Sequence, residues 1–340
     1  MATKTTQEDF YEAVEAASVA PLWRQFNGEQ PTEPSPLPPF MWRWSSISPL
    51  TERAAKEVPM EDVERRVLSL KNPHRGLPGP GTTKNLVGAI QTLLPGETAD
   101  AHRHSGNALR FVLEGHGAET IVDGKSCLME ERDLILTPLL SWHAHRHTSS
   151  ERIVWFDALD IPLFRHMNAS FYEEGPPPNL PPQSPDSAFL QGGLTPVDGN
   201  SPRPPYSPMF RYPWKAVLQA LSDLPASDDG SRTLRYTNPA TGGPAMTLID
   251  CFLLALAKGR DTVPYRTTSD ALCVVADGEG ESQIGEHNFT WQRNDIFTLP
   301  NWSWISHKAV SGDAKLFLVT DRDAIDRLGM LREETRETVD

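Results

Sequence analysis

Short apolar runs separated by Gly, Asp and Pro dominate the chain from about residue 85 onward. The first group comprises LVGAIQTLL, ALRFVLEG, GAETIVDG, DLILTP and ERIVWFDALDIP, and the second comprises AMTLIDCFLLAL, ALCVVADG, HNFTWQ, DIFTLP and KLFLVT. Runs this short, each bounded by turn-forming residues, are typical of strands joined by hairpins. Many such strands in succession favour a β-sandwich or a small barrel. The sequence therefore predicts a mainly β fold whose strands fall in two regions.

The two regions follow one pattern. At an offset of 163 residues Ala108-Leu109 aligns with Ala271-Leu272, Gly115 with Gly278 and Gly117 with Gly280; at 162 residues Asp133 aligns with Asp295, Pro138 with Pro300, Ser141-Trp142 with Ser303-Trp304 and His145 with His307. A single gap is modest drift for a tandem duplication. We therefore expect two β domains of the same fold, which agrees with the domain count suggested by a length of 340 residues.

The segments around these domains have their own signals. Residues 1–84 are predicted to form a helical and extended arm, because apolar residues recur at helical spacing from Thr5 to Phe26, with a candidate capping box at Thr5 and Glu8. The first barrel is expected over 85–174. Twelve of the 31 prolines lie between Pro176 and Pro213, which predicts a linker and then a short helix over 175–230. The second barrel and a C-terminal helix are expected over 231–340.

Charge and cysteine content exclude several classes of function. Lys and Arg number 32 against 45 Asp and Glu, a net charge of −13 that would repel a nucleic-acid backbone. No apolar run approaches the length of a membrane span, and the amino-terminal residues do not resemble a secretion signal. Three scattered cysteines (Cys127, Cys251, Cys273) are too few for a disulfide framework. We therefore expect a soluble, cytoplasmic protein that binds neither nucleic acid nor membrane.

Histidines are concentrated in the first barrel. Six of the ten lie between residues 102 and 147: His102, His104, His116, His143, His145 and His147. Because residues i and i+2 of a strand point to the same side, His102 and His104 share a face, and so do His143 and His145. Three imidazoles converging from separate strands, His102, His104 and His143, would bind a divalent first-row metal and leave positions open for a substrate. Imidazole ligands alone do not separate iron from zinc.

The second copy lacks this set. At the positions of the three candidate ligands it carries Tyr265, Thr267 and Ile305. We therefore expect the second barrel to bind no metal, to have a filled pocket and to serve a structural or interfacial role.

Two spaced motifs carry a resemblance to the cupins. Gly96, His102-Arg-His104 and Gly115 resemble the first cupin motif, and Asp133, Pro138 and His143 resemble the second. The duplicated chain is thus similar to a bicupin, with two tandem double-stranded β-helix barrels. The glutamate ligand that cupins usually carry is replaced here by Ala108 and Leu109. A three-histidine set without a carboxylate resembles the gentisate 1,2-dioxygenase group, which includes salicylate and 1-hydroxy-2-naphthoate dioxygenases. Further strings match that group from about Pro21 to Met330: AHRHSGNALRFVLEG, LTPLLSWHAH, WFDALDIPL and LRYTNPATGGPAM.

The resemblance implies an activity and roles for individual residues. It implies an Fe(II)-dependent dioxygenase that consumes O₂ and opens gentisate between its carboxyl-bearing and hydroxyl-bearing carbons to give maleylpyruvate, and it implies a homotetramer. Arg110, Gln91 and Arg65 would bind the substrate. His145, paired with Asp157, would act as an acid/base group. From the residues alone, the alternatives are that Arg110 with Asp157 is a structural ion pair and that Arg65 or Arg66 is solvated.

Other functions remain open at the level of sequence. Salicylate or 1-hydroxy-2-naphthoate could be the substrate in place of gentisate, since these acids differ only in ring substituents. A non-catalytic bicupin that binds small molecules, or a zinc enzyme that acts on water, are more distant alternatives.

Overall fold

The computed structural model describes residues 6–25, 32–74, 81–175, 177, 179–180, 182–192, 194–197, 205–310, 312 and 314–336. The chain divides into two compact units, Met1–Ser35 and Pro36–Asp340. Within the described ranges no helix combines the length and the apolar character needed to cross a membrane.

The first unit contains two short helices where the sequence predicts a single one. α1 spans Thr6–Ala16 and α2 spans Leu22–Gln25. Ser18 adopts a left-handed conformation (φ 55°), and the ring of Pro21 cannot continue the helix, so the two segments are separate. The predicted ends at Thr5 and Phe26 lie outside the described residues.

The second unit begins with an extended arm and continues into the first barrel. The arm comprises β1 (Met41–Trp42), α3 (Trp44–Glu57) and β2 (Val67–Ser69). The barrel strands are β3 (Val87–Leu93), β4 (Thr98–His104), β5 (Ala108–Glu114), β6 (Ala118–Val122), β7 (Lys125–Met129), β8 (Leu134–Thr137), β9 (His143–His147), β10 (Ile153–Leu159) and β11 (Tyr172–Glu174), with α4 (Ile161–His166) between the last two.

The proline-rich segment leads into the second barrel. It carries a 3-10 turn at Asp186–Phe189, then β12 (Arg211–Tyr212) and α5 (Trp214–Asp223). The second barrel comprises β13 (Arg232–Arg235), β14 (Asp250–Ala255), β15 (Tyr265–Thr267), β16 (Ala271–Asp277), β17 (Glu279–Ile284), β18 (His287–Gln292), β19 (Ile296–Leu299), β20 (Ile305–Ala309), β21 (Lys315–Thr320), α6 (Arg322–Arg327) and β22 (Glu333–Thr335).

The tail differs from its prediction. The sequence predicts helix from Asp321 to Glu334, but α6 ends at Arg327. Gly329 adopts a left-handed conformation (φ 68°), a common way to end a helix. The chain then extends as β22, which pairs with β15.

The sheet orders confirm the mainly β, duplicated fold. Each barrel contributes a six-stranded and a five-stranded sheet. The six-stranded sheets read β12-β8-β5-β10-β3-β2 and β1-β19-β16-β21-β14-β13, and the five-stranded sheets read β11-β4-β9-β6-β7 and β22-β15-β20-β17-β18. Each strand of the first barrel occupies the same sheet position as the second-barrel strand aligned with it by sequence.

The outermost strands reveal an exchange between the copies. β1 precedes the first barrel but pairs with β19 of the second, whereas β12 precedes the second barrel but pairs with β8 of the first. The exchanged arms are held alike, since Asp295 accepts a hydrogen bond from Trp44 N (2.7 Å) and Asp133 accepts one from Trp214 N (2.8 Å). The repeat therefore extends beyond the barrels into both arms.

The core lies in three layers. One apolar cluster lies in each barrel, and the largest lies between the six-stranded sheets, where the rings of Phe111 and Phe317 stack with centroids 4.2 Å apart. Burial of this sheet-to-sheet layer joins the barrels through the hydrophobic effect. The three cysteines are buried and free, as expected.

Candidate metal centre and substrate cavity

Strand geometry brings three histidines of the first barrel together. His102 and His104 lie two residues apart on β4, and β4 pairs with β9 so that His102 is opposite His143. The register shifts between Ala99 and His102, an irregularity of the kind that often re-aims side chains near functional sites. The three side chains therefore project to one face of the five-stranded sheet.

The distances fit one metal ion. The ring centroid of His102 lies 4.0 Å from that of His143 and 5.5 Å from that of His104, and the last two are 5.0 Å apart. One ligand atom from each residue lies within 4.8 Å of the others.

Backbone carbonyls set the orientation of two of these rings. Nδ1 of His104 lies 3.1 Å from the Ser105 carbonyl, and Nδ1 of His143 lies 3.0 Å from the Ser141 carbonyl. An Nδ1–H group that donates to a carbonyl leaves Nε2 unprotonated, with its lone pair available to a metal. These two residues thus have the orientation and tautomer of metal ligands.

His102 has a further neighbour at Nδ1. The guanidinium of Arg65 lies 2.6 Å away and the Asp100 carbonyl lies 3.4 Å away. Guanidinium only donates, so Nδ1 accepts in this arrangement and the ring proton lies on Nε2. For Nε2 of His102 to bind a metal, Nδ1 must donate to Asp100 and Arg65 must turn away. With that one movement of Arg65, the three histidines fit a metal ion.

Burial keeps the imidazoles neutral. It lowers the pKa of His102 to about 3, with the positive charge of Arg65 as the second cause. Burial also lowers the pKa of His104, and it holds that of His143 well below its usual value, with Arg110 adding to the effect. Neutral imidazole is the form that binds a metal.

A cavity of about 440 Å³ opens beside the triad. It is lined by the three histidines and by Arg65, Gln91, Arg110 and Asp157, together with Tyr172 and residues of α4. Pairing within the six-stranded sheet explains this grouping, because Asp157 of β10 lies opposite Arg110 of β5 and opposite Ala89 of β3, with Gln91 two residues farther along the same face. The structure thus brings every predicted site residue except His145 to the cavity wall.

Four buried polar atoms of this wall have no hydrogen-bond partner in the described chain: Arg65 Nε, Gln91 Nε2, Arg110 Nε and Asp157 Oδ1. Such atoms are uncommon in folded proteins, since each leaves a desolvation penalty unmet. Their concentration in one cavity indicates a polar ligand.

Arg110 and Asp157 form a buried ion pair. Arg110 Nε lies 3.4 Å from Asp157 Oδ1, while the other ends of the two groups are bound by Thr137 Oγ1 and Trp155 Nε1. Burial raises the pKa of Asp157 to about 6 against the opposing effect of Arg110. The carboxyl group therefore accepts a proton close to neutral pH.

His145 differs from its predicted setting. No hydrogen bond joins it to Asp157 in the described residues, where Asp157 Oδ2 accepts from Trp155 Nε1 and Oδ1 lies 3.4 Å from Arg110 Nε. Nδ1 of His145 instead lies 3.0 Å from Thr120 Oγ1, and Nε2 is buried with no partner in the described residues. The predicted His145–Asp157 pair is therefore wrong. Arg66 is not solvated either, as it forms a bidentate pair with Glu97.

Several residues at the site escaped the sequence analysis. Arg165 of α4 is exposed, lines the cavity and forms no ion pair within the described chain. Asn107, just after His104, donates from N and Nδ2 to the two carboxylate oxygens of Asp160 (2.7 Å each) and also to the Thr247 carbonyl of the second barrel (2.7 Å). This network fixes the start of α4. No sequence motif indicates these contacts.

The second barrel has no counterpart of the triad. Tyr265, Thr267 and Ile305 stand at its positions, and no metal-binding group is found there among the described residues. The expectation of a filled pocket is wrong, because the second barrel keeps a cavity of about 500 Å³.

Comparisons with known proteins agree with this geometry. The family model of the cupin domain matches residues 89–161. A gentisate 1,2-dioxygenase from Streptomyces is 35% identical over 97% of this chain and 96% of its own length, and a 1-hydroxy-2-naphthoate 1,2-dioxygenase from Nocardioides is 36% identical over 87% and 78%. The crystal structure of salicylate 1,2-dioxygenase from Pseudoaminobacter salicylatoxidans, as adducts with gentisate, superposes with a TM-score of 0.90 at 30% identity, covering 99% of this chain and 96% of that one.

Proposed function

We propose a function from the premise that this chain belongs to the gentisate 1,2-dioxygenase family of ring-cleaving bicupin dioxygenases. The proposed reaction is cleavage of gentisate between its carboxyl-bearing and hydroxyl-bearing carbons, with both atoms of O₂ entering the product, maleylpyruvate. The substrates named for the relatives make salicylate and 1-hydroxy-2-naphthoate the alternatives within the same chemistry.

The observation that carries the proposal is that two groups of side chains line one cavity. One group is the three neutral imidazoles, and the other provides four buried polar atoms that have no hydrogen-bond partner in the described residues. A hydroxybenzoate meets both needs, since its carboxylate and hydroxyl groups bind a metal while its ring substituents reach the protein. Arg65, Arg110 and Arg165 give the cavity a positive surplus over Asp157 in a chain of net charge −13. That local charge favours an anionic substrate.

We assign the metal to His102, His104 and His143 and its identity to Fe(II). When bound there, ferrous iron supplies the redox chemistry that joins an electron-rich ring to O₂. A ligand set of three neutral side chains leaves the charge of the ion uncancelled and positions open for substrate and O₂.

The cavity wall supplies orientation. Arg110 offers Nε to a carboxylate or hydroxyl oxygen of the substrate, and its fixed contact with Thr137 limits rotation of the guanidinium. Gln91 Nε2 and Arg65 Nε offer two further donors. Arg65, once turned from His102, adds a charge-assisted hydrogen bond.

Asp157 and His145 are assigned to proton transfer. Asp157 Oδ1 lies 3.4 Å from Arg110 Nε and accepts no hydrogen bond in the described residues. It can take a ring hydroxyl proton, since its pKa of about 6 leaves it mostly ionised at neutral pH. His145 lies behind His143, with ring centroids 6.3 Å apart. We therefore assign it to proton transfer behind the metal ligands and not to direct contact with the substrate ring. We also propose that the protein is cytoplasmic and forms a homotetramer.

O₂ consumption by the ferrous-loaded protein tests this function. Gentisate, salicylate and 1-hydroxy-2-naphthoate are supplied in turn, with absorbance followed for a ring-opened product. We expect uptake with gentisate. Uptake with another acid alone would keep the reaction and move the substrate, whereas no uptake with any acid despite bound iron would leave a non-catalytic bicupin. Turnover by the zinc-loaded protein without O₂ uptake would favour the hydrolytic alternative.

A further inference from the structure

The cavity of the second barrel has features of a ligand site. Its volume, about 500 Å³, exceeds that of the first cavity. Small side chains hold it open, among them Ser231, Thr233, Ser269 and Ala271. A protein interior is normally close-packed, and an unfilled space of this size lowers stability. Larger side chains at those inward positions would fill it.

Its walls are apolar, and two arginines and two carboxylates, Arg235, Arg322, Asp229 and Glu333, lie among its lining residues. Phe252, Leu254, Leu299, Ile305 and Leu318 line the walls. Arg235 and Arg322 also line it, and both contact Asp250, a side chain with no exposure. The buried carboxylate fixes the two guanidinium groups beside each other, while their side chains remain 33% and 25% exposed.

The guanidinium group of Arg322 already binds a carboxylate. Glu333 of β22 accepts from Nε and Nη2 of Arg322, both at 2.9 Å, in the parallel geometry typical of Arg with a carboxylate. Glu333 is 50% exposed and lines the cavity. Exposed pairs of this kind contribute little free energy, so a competing carboxylate can replace Glu333 at small cost.

A polar group lies within the cavity as well. Tyr265 occupies the position of His102, and in the described chain its hydroxyl group has no hydrogen-bond partner. A ligand that reaches from the rim to Tyr265 needs a carboxylate at one end, an apolar body, and a hydrogen-bonding substituent at the other.

We propose that the second barrel binds a small aromatic monocarboxylic acid, with its carboxylate at Arg322 and Arg235, its ring among the apolar walls, and Glu333 displaced. Flat aromatic rings suit a cavity with walls of Phe and Leu side chains, and the carboxylate matches a guanidinium fork that already holds one. Binding there involves no metal and does not depend on the function proposed for the first barrel.

The experiment is a titration of the full-length, ferrous-loaded protein under argon with 4-fluorobenzoate, followed by ¹⁹F NMR. Arg322→Gln should weaken binding about 10- to 100-fold through loss of a charge-assisted contact. Glu333→Gln should tighten it about two- to fivefold, because the competing carboxylate is gone. Leu318→Trp, which fills the cavity, should abolish it.

Arg110→Gln is the matched control in the first barrel, and it should leave this binding event unchanged. Opposite shifts in Arg322→Gln and Glu333→Gln are the signature of the proposed site, and both positions are accessible enough for the variants to fold. The proposal is overturned if wild type shows no binding at millimolar concentration, if both variants shift affinity in one direction, or if binding disappears in Arg110→Gln alone. Ring cleavage is assayed on the same samples, so loss of that activity is read separately.

Discussion

The two barrels share a framework and differ in what faces their cavities. Each buries a histidine whose Nδ1 contacts a hydroxyl group, His145 with Thr120 and His307 with Ser282. Each anchors the start of its late helix through a buried aspartate, Asp160 or Asp321. Strand pairing and the exchanged arms correspond as well. The framework is therefore required by the fold, whatever chemistry the barrel performs.

The difference lies in the inward residues at the open end. His102, His104 and His143 become Tyr265, Thr267 and Ile305, and Arg110 becomes Cys273. These changes remove the ligands and the cation without closing the cavity. The two barrels thus differ at the candidate metal ligands by a few side chains on corresponding strands. The comparison also shows that burial of a histidine behind the site is not by itself a sign of catalysis, since the second barrel retains His307.

The largest difference between the barrels should appear when a candidate ligand of the first barrel and the matching residue of the second are each replaced by alanine. His104→Ala should lose iron and reduce turnover about 1,000-fold or more, because the ion is needed for the redox step. Thr267→Ala should change neither. Metal analysis and O₂ uptake of both variants measure this. Full iron content in His104→Ala would remove His104 from the ligand set.

The second largest effect on activity should come from replacing Arg110, the cation that the first cavity has and that the second lacks at the corresponding position. Arg110→Gln should keep iron but lower kcat/KM about 10- to 100-fold, through loss of a charge-assisted contact to the substrate. It also leaves Asp157 buried without its cation, which should cost about 3 to 5 kcal/mol of stability. The Arg110→Gln/Asp157→Asn double variant restores neutrality. Activity recovered with stability in the double variant would show that Arg110 serves the fold alone.

A comparison of His145 with His307, the histidines that both barrels bury, distinguishes a catalytic role from a structural one. His145→Ala should keep iron and lose most turnover, whereas His307→Ala should leave kcat unchanged. Stability should fall similarly in both, because each loses a buried hydrogen bond to a hydroxyl group. Steady-state kinetics with thermal unfolding distinguishes the two. An unchanged kcat in His145→Ala would mean that both histidines are structural.

The smallest effect concerns the helix anchors. Asn107 contacts Asp160 in the first barrel, but in the second Asp270 contacts Asp321, and burial with the charge of Asp270 raises the pKa of Asp321 to about 7. A carboxyl group with a pKa above its unfolded value stabilises the fold while protonated, so this contribution is present below about pH 4 and is lost as the pH rises through 7.

Asp270→Asn should therefore stabilise the protein by about 1 kcal/mol at pH 8 and by less at pH 5. The attraction of Asp270 for Lys84 opposes the gain, while Asn85 and Asn301 keep their hydrogen bonds to the pair. Asn107→Asp, the reverse change in the first barrel, should destabilise with the opposite pH trend. Denaturant midpoints at the two pH values measure both, and parallel trends would contradict the account.

Much of the fold was predictable because it depends on local signals. Alternating apolar residues and turn residues define the strands, and the aligned glycines fix the repeat. Gly115 shows why such positions are retained, as its φ is 83° and a Cβ would meet the Arg152 carbonyl at 2.3 Å. The spacing of His102 and His104 likewise predicts a shared face. The proposed domain boundaries stay a prediction.

The missed features depend on contacts distant in sequence. The exchange of β1 and β12 joins residues more than 70 positions apart, and the contact between Asn107 and Thr247 crosses from one barrel to the other. The sequence prediction pairs Asp157 with His145, but strand pairing places Arg110 opposite Asp157. The replacement of the three candidate ligands predicts a filled pocket in the second barrel, but the cavity stays open. Side-chain volume in sequence does not reveal how far apart the strands lie.

The most direct test of the central claim is an anomalous difference map at the iron edge, from crystals of the ferrous-loaded protein grown and soaked with gentisate under argon. We expect one iron peak per chain, bound by His102, His104 and His143, with gentisate between the iron and Arg110. Iron bound in the second barrel, or iron in the first barrel held by other side chains, would contradict it.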